Sequence, residues 1–250
     1  MGFKKAFTYG LAIVFSLGTL GVLSSDVDAK NGSVFNSKSC YKVVKTTKTK
    51  YKNGKIKTKT QTLKGTNKGY CEPYKGKIVR TYNKKGQEIK MVAQEYYLDF
   101  DKKVKRSTKV TYSKYKKSGK YWGYTAITVN DYEVSYGKNV KTQVVKTKTL
   151  PNGKKVTENR VIYDWYGKKV SSYTDKYNSK GKIIQSITEN YENGKKKESF
   201  NIKYDSKGEM TQKIELHYDT KGKIVSGNKT IYTKDKTYYY EWIDGKWVLS

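Results

Sequence analysis

Few of these 250 residues could carry covalent chemistry: one histidine, His217, two cysteines, Cys40 and Cys71, and 22 acidic side chains set against 53 Lys and Arg. Catalysis needs a base, a nucleophile or a metal ligand set held in mutual geometry. His217 and Glu215 fall on one face of an alternating stretch and read as an exposed surface pair, not a dyad. No carboxylate motif is clustered; a glycosidase with two acids from distant strands is the one enzymatic alternative. The expectation is a protein without catalytic residues, metal or cofactor.

The chemistry that the sequence does offer is ionic. Its formal net charge is +31, and a surplus of this size repels itself in a compact chain and attracts anionic partners. The densest patch is Thr47-Lys48-Thr49-Lys50-Tyr51-Lys52-Asn53-Gly54-Lys55-Ile56-Lys57-Thr58-Lys59-Thr60. Asn-Gly is the preferred two-residue hairpin turn. Folding about it sets Lys52 opposite Lys55, Lys50 opposite Lys57 and Lys48 opposite Lys59, with Tyr51 facing Ile56, Thr49 facing Thr58 and Thr47 facing Thr60 on the other side. Like charges directly opposed destabilise a ribbon, so either solvent spreads this charge or a polyanion lies along it. A solvated basic face that resists edge-to-edge aggregation is the bland alternative. A second basic run is Lys102-Lys103-Val104-Lys105-Arg106.

The elements that must position these lysines follow from the glycines. Those at 167, 181, 194, 208 and 222 stand 14, 13, 14 and 14 residues apart, and Tyr177-Asn178-Ser179-Lys180-Gly181, Tyr204-Asp205-Ser206-Lys207-Gly208 and Tyr218-Asp219-Thr220-Lys221-Gly222 repeat one pattern. A fixed period of this kind marks a tandem repeat. In Tyr-Asp-x-Lys-Gly the Asp opens a type I turn and Gly closes a bulged loop in the left-handed region. Between turns the apolar residues alternate: Met210, Gln212, Ile214, Leu216 and Tyr218 share one face, and Thr211, Lys213, Glu215 and His217 the other. The fold class is therefore all-β, an antiparallel meander of tandem hairpins with about 13 or 14 strands. That number exceeds the roughly ten an open twisted sheet usually holds. The expected sheet is strongly curved, and either rolls towards a barrel or divides near residues 137–150, with a thin core rich in the 25 tyrosines. Asn152-Gly153 and Asp244-Gly245 read as two further two-residue turns.

At the N-terminus, Lys4 and Lys5, the apolar run from Phe7 to Leu23, and Val27-Asp28-Ala29 read as a secretory signal peptide cleaved after Ala29, with a retained membrane anchor as the alternative. Export would leave Cys40 and Cys71 in an oxidising compartment, where one disulfide is the simplest reading, worth roughly 3 to 4 kcal/mol in the loop-entropy model. The domain organisation expected is 1–29 signal, 30–136 an irregular basic region and 137–250 a regular hairpin region.

The Tyr-[Asp/Asn]-x-x-Gly patterns at 82, 177, 204 and 218 resemble the YD repeats of bacterial Rhs-type and wall-associated proteins, best over residues 163–235. The resemblance implies successive β-hairpins building curved sheets. Lys stands here where Arg usually follows the Gly. The functional expectation is a secreted or cell-wall-associated protein without enzymatic activity that binds an anionic polymer at the cell surface or in the matrix. Its first contacts would be Lys48, Lys50, Lys52, Lys55, Lys57 and Lys59, and its second Lys102, Lys103, Lys105 and Arg106. The alternative is a secreted effector, or bacteriocin-like protein, acting on anionic membranes. No specific nucleic acid is expected as partner, because a signal peptide argues against an intracellular regulator.

Overall fold

The computed structural model describes residues 41–65, 73–99, 102–118, 121–135 and 138–250, and every regular element in them is a β-strand. The first strands are β1 (Tyr41–Lys50), β2 (Ile56–Gly65), β3 (Pro73–Tyr82), β4 (Glu88–Asp99), β5 (Lys102–Ser118) and β6 (Tyr121–Ser135). There follow β7 (Lys138–Thr149), β8 (Lys155–Tyr163), β9 (Lys169–Tyr177), β10 (Ile183–Glu192), β11 (Lys195–Tyr204), β12 (Met210–Tyr218), β13 (Ile224–Tyr232), β14 (Thr237–Ile243) and β15 (Lys246–Leu249). Their hydrogen-bonded order is the chain order from β1 to β15. Among the described residues no pairing joins β1 to β15, so the meander is open; closure into a barrel does not occur. The chain forms two compact units divided between Asn139 and Val140, with Pro151–Gly153 grouped with the first.

One loop recurs along the meander. At 164–168 the Asp164 amide donates to the Lys168 carbonyl at 2.9 Å and the Gly167 amide to the Asp164 carbonyl at 3.0 Å. The Asp164 carboxylate in turn accepts the amides of Tyr166 (2.9 Å) and Lys168 (2.8 Å). Asn178, Asp205 and Asp219 repeat this wiring. Accepting three backbone amides holds the Asp205 carboxyl below its ordinary range, the Glu209 amide contributing most. The next strand then skips one residue, for example Thr211 between the pairs Tyr204↔Met210 and Lys203↔Gln212. The face shared by Met210 and Gln212 in the sequence reading is thus interrupted by a bulge.

The same loop also appears with another sequence. Tyr51 donates to the Lys55 carbonyl and Gly54 to the Tyr51 carbonyl, so Asn53-Gly54 does not form a two-residue turn. Gly54 alone takes positive φ (+78°), and the extra loop residue shifts the register to Lys50↔Ile56 with Lys57 skipped. The expected pairs Lys50–Lys57, Lys52–Lys55 and Tyr51–Ile56 are therefore absent, whereas Lys48↔Lys59, Thr49↔Thr58 and Thr47↔Thr60 are present. Asn152-Gly153 behaves likewise: Leu150 pairs with Lys154 around a three-residue loop. Among the described residues, only Asn193-Gly194 (φ 50° and 79°) and Asp244-Gly245 (φ 48° and 81°) have the double left-handed geometry of a two-residue turn.

In the first unit the buried apolar side chains share one face. Cross-strand partners point the same way, and the rows Lys59–Arg80–Met91–Val110–Val129 and Gln61–Ile78–Ala93–Thr108–Asp131 run straight across β2 to β6. Leu63, Ile78, Met91, Ala93, Val110, Tyr112 and Val129 on this face are buried. The second unit is thinner, and its one described apolar residue that is fully buried is Val144. Lysines lie instead over tyrosine rings at a constant offset of 22 residues: Lys141 over Tyr163, Lys155 over Tyr177, Lys169 over Tyr191 at 3.8 Å and Lys196 over Tyr218 at 4.5 Å. Such contacts are worth about 0.5 to 1 kcal/mol each at exposed sites.

Gly181 has φ +84° and a Cβ there would meet nothing within 4 Å. Gly181→Ala should therefore act through backbone strain alone, lowering stability by about 1 to 2 kcal/mol and Tm by a few degrees, whereas Ser179→Ala in the same turn should leave Tm nearly unchanged. Thermal unfolding of the two variants checks this.

Candidate functional site: a lysine-lined cleft

The first hairpin and the turn at 83–87 lie at the same end of the first unit, because two strands, β2 and β3, separate them. Their loops are in contact. The Asn53 side-chain amide donates to the Lys84 carbonyl at 3.3 Å, and Lys55 Nζ to the Lys85 carbonyl at 3.3 Å. Tyr51 donates its hydroxyl to the Tyr82 carbonyl at 2.7 Å, a third tie between the first loop and the end of β3. The result is a cleft of about 420 Å³ lined by Lys48, Lys55, Ile56, Lys59, Tyr82, Lys85 and Gly86.

Four lysines, Lys48, Lys55, Lys59 and Lys85, thus line one open space, and among the described residues no ion pair to a carboxylate holds any of the four. Lys48 and Lys59 are direct cross-strand partners. Behind Lys59 in the same row comes Arg80, whose guanidinium reaches both oxygens of Glu88 at 3.2 and 3.1 Å. The acid that could have neutralised the cleft is therefore committed to Arg80. Burial raises the Glu88 pKa above its ordinary value, against the pull of Arg80 and Lys59. The arrangement can hold an anion by charge and hydrogen bonds.

Beside this wall stands a tyrosine group. Tyr124 packs on Tyr112 (ring centroids 5.1 Å) and on Tyr115 (4.9 Å), and donates its hydroxyl to the Glu88 carbonyl. Burial, with Glu88 second, pushes Tyr112 well above the usual phenol range and Tyr124 up to about 12.

The remaining sequence candidates are dispersed. Lys105 pairs with Tyr96 and Arg106 with Glu95, near the opposite end of the strands from the cleft. Arg106 binds Glu133 at 3.3 Å, so an intramolecular carboxylate already engages it. The side chains of Lys102 and Lys103 lie outside the described residues, as do the signal segment, Cys40 and Cys71. Of the hairpin lysines, Lys50, Lys52 and Lys57 do not line the cleft. His217 Nε2 lies 3.3 Å from Glu215, which also holds Lys213 at 3.3 Å. Lys85 and Tyr82 escaped the sequence reading. Their signal was available in Tyr82-Asn83-Lys84-Lys85-Gly86, a copy of the turn pattern two strands beyond Asn53-Gly54, hence on the same end of any meander.

No family model and no curated protein matches the sequence. Among solved structures, the chain is similar to TcdB2-TccC3 at 9% identity and a TM-score of 0.21, covering 80% of this chain and 16% of that one. A TcdB2-TccC3-TEV structure gives 10% identity and a TM-score of 0.20, with 80% and 16% covered. A porin-like protein from Bacteroides uniformis is 11% identical with a TM-score of 0.23, covering 78% of this chain and 97% of that one. The chain thus spans about a sixth of the length of the first of these.

A phenol raised in the folded state favours the neutral form, so its contribution is intact below the ordinary value near 10 and is lost as pH rises towards 12. Tyr124 and Tyr177, both raised to about 12 chiefly by burial, and Tyr112 should ionise late. Ultraviolet difference absorbance of tyrosinate should show two phases, the second coinciding with loss of the sheet by circular dichroism. A single phase near the free phenol value would contradict the burial of these hydroxyls.

Proposed function

We propose that this is a secreted, non-enzymatic β-repeat protein that binds anionic polymers through lysines of its first unit. The observation that carries the reading is the cleft in which Lys48, Lys55, Lys59 and Lys85 converge, with Glu88 occupied by Arg80. Positive charge as such would carry less, because many lysines elsewhere rest on tyrosine rings, carboxylates or turn carbonyls. The resemblance of the turns to YD repeats fits a repeat scaffold at a bacterial surface. Teichoic acid, anionic polysaccharide and extracellular DNA all present spaced anionic groups to such a cleft. Binding would proceed by charge neutralisation with release of counterions, which makes affinity fall with salt and leaves little sequence preference. A cleft of this volume takes one or two anionic groups of a longer chain, and the rest of the polymer would run over the exposed hairpin lysines Lys50, Lys52 and Lys57.

The test is binding to lipoteichoic acid and to DNA across a salt series from about 50 to 200 mM. Replacing Lys48, Lys55, Lys59 and Lys85 by Gln should flatten the log–log salt slope by about one to two units, near 0.9 for each anionic group the cleft holds. Replacing Lys102, Lys103 and Lys105 should flatten it less. Equal slopes for the wild type and the four-lysine variant would remove the cleft from the binding surface.

A further inference from the structure

Four turns of the second unit, at 164–168, 178–182, 205–209 and 219–223, share one backbone but not one content. Ser179-Lys180, Ser206-Lys207 and Thr220-Lys221 fill the two positions after the capping Asn or Asp. After β8 the same positions hold Trp165 and Tyr166. Asp164 caps this turn like the others, and Gly167 closes it at φ +77° with nothing within 4 Å of a Cβ built on it. The backbone is therefore held as in its sister turns while Tyr166 stands in solvent, 79% exposed, and Trp165 is half exposed beside it at 47%. Rings so placed add little to folding, and a residue pair that departs from the repeat at this one tip needs another reason.

Its surroundings supply one. Turns at one end of a meander are two strands apart, roughly 10 Å. Next to the Trp165-Tyr166 tip stand Asn193-Gly194, then residues 220–222, then Asp244-Gly245. Lys168, Lys195, Lys221, Lys223 and Lys246 are exposed at this end. Against them stand Glu192, which binds Lys197 at 3.0 Å, Asp164 and Asp219, which accept amides of their own turns, and Asp244. A row of ammonium groups beside a projecting Trp-Tyr pair is the composition that settles at a membrane interface. Amphipathic rings rest at headgroup level, and basic residues gain from anionic headgroups.

We propose that this end of the second unit docks on an anionic lipid bilayer, with Trp165 and Tyr166 entering the headgroup layer and the neighbouring lysines contacting the phosphates. A sugar polymer fits the site less well, since carbohydrate and other small-ligand sites are concave and this tip is convex. The surface is separate in sequence and in unit from the lysine cleft, and the two stand or fall independently.

The experiment uses co-sedimentation with vesicles of phosphatidylcholine alone and of phosphatidylcholine mixed with phosphatidylglycerol. The W165S/Y166K variant writes the Ser-Lys of residues 179–180 into the turn and keeps Asp164 and Gly167, so the hairpin should fold, which circular dichroism checks. The variant carries one more positive charge. Adsorption driven by charge alone would make it bind mixed vesicles as well as or better than the wild type, and that result overturns the proposal. The expected result is the opposite: binding to mixed vesicles weakened about tenfold or more, equivalent to about 1.4 kcal/mol per tenfold step. The part of wild-type binding that survives high salt should also disappear. Tyr166→Trp, which keeps two rings, should bind at least as tightly as wild type. Should W165S/Y166K lose binding to cell-wall polysaccharide and keep its vesicle binding, the rings serve a sugar and the lipid assignment is wrong.

Discussion

Turn closure is the constraint on which the whole meander depends. Each hairpin must reverse the chain within a few residues while keeping the right-handed strand twist, and most of the described turns do so with a glycine at positive φ, joined by Asn193 or Asp244 in the two-residue turns. The steps between these glycines set strand length, and the alternation of strand direction places every second turn at the same end. Lysines that follow the loops at one end then bridge to the next loop. Lys55 reaches the Lys85 carbonyl, Lys154 the Ser179 carbonyl at 3.2 Å and Lys182 the Lys207 carbonyl at 3.0 Å. A local backbone requirement is thereby converted into a tie between hairpins some 25 to 30 residues apart in sequence.

The charge reads differently once these ties are counted. In the second unit Glu158 holds both Lys155 (2.7 Å) and Arg160 (3.3 Å). Glu189 receives hydrogen bonds from Tyr191, Ser172 and Lys196. Burial alone would raise the Glu189 carboxyl, but those bonds hold it below its ordinary value. Where apolar burial is sparse, the ammonium groups and rings supply the cross-strand contacts that methyl groups supply elsewhere. Lysine density is consequently a poor guide to a binding surface in this chain. A better guide is a lysine that among the described residues donates to no acceptor and forms no ion pair, such as Lys48 or Lys59, or one that reaches only a carbonyl beside an open cleft, such as Lys55.

Much of the architecture was legible in the residues because the turn pattern and the two-residue alternation are both short-range. Tyr-Asp-x-Lys-Gly specifies its loop through the Asp side chain and the following Gly, and both signals act within five residues. Asn-Gly proved ambiguous for a physical reason. Asn can take the left-handed region, as Asn193 does at φ 50°, or leave it to Gly alone, as at Gly54. The dipeptide fits a two-residue turn and the last two positions of a three-residue loop equally well, and the choice shifts every pair near the tip. The cleft was less legible still. Its lysines come from two hairpins, and Lys85 joins Lys48 and Lys59 only once the loops are known to share an end.

The position of the cleft at the margin of the buried face has an energetic meaning. Across the row Lys48–Lys59–Arg80–Met91–Val110–Val129 the sheet passes from opposed like charges, through a compensated guanidinium, to methyl groups. Opposed lysines destabilise the free hairpin, and the chain leaves them without the acid that it provides one strand further in. An anion between Lys48 and Lys59 would remove that repulsion, and a ligand bound only by the folded state stabilises the fold by mass action. Under the proposed function, binding and hairpin stability would be one equilibrium, because the unfavourable Lys48–Lys59 pairing would be relieved by the bound anion. Glutamine at the same positions would relieve the repulsion as well, so a variant that binds less should also lose the stabilisation by ligand while the free hairpin becomes no weaker.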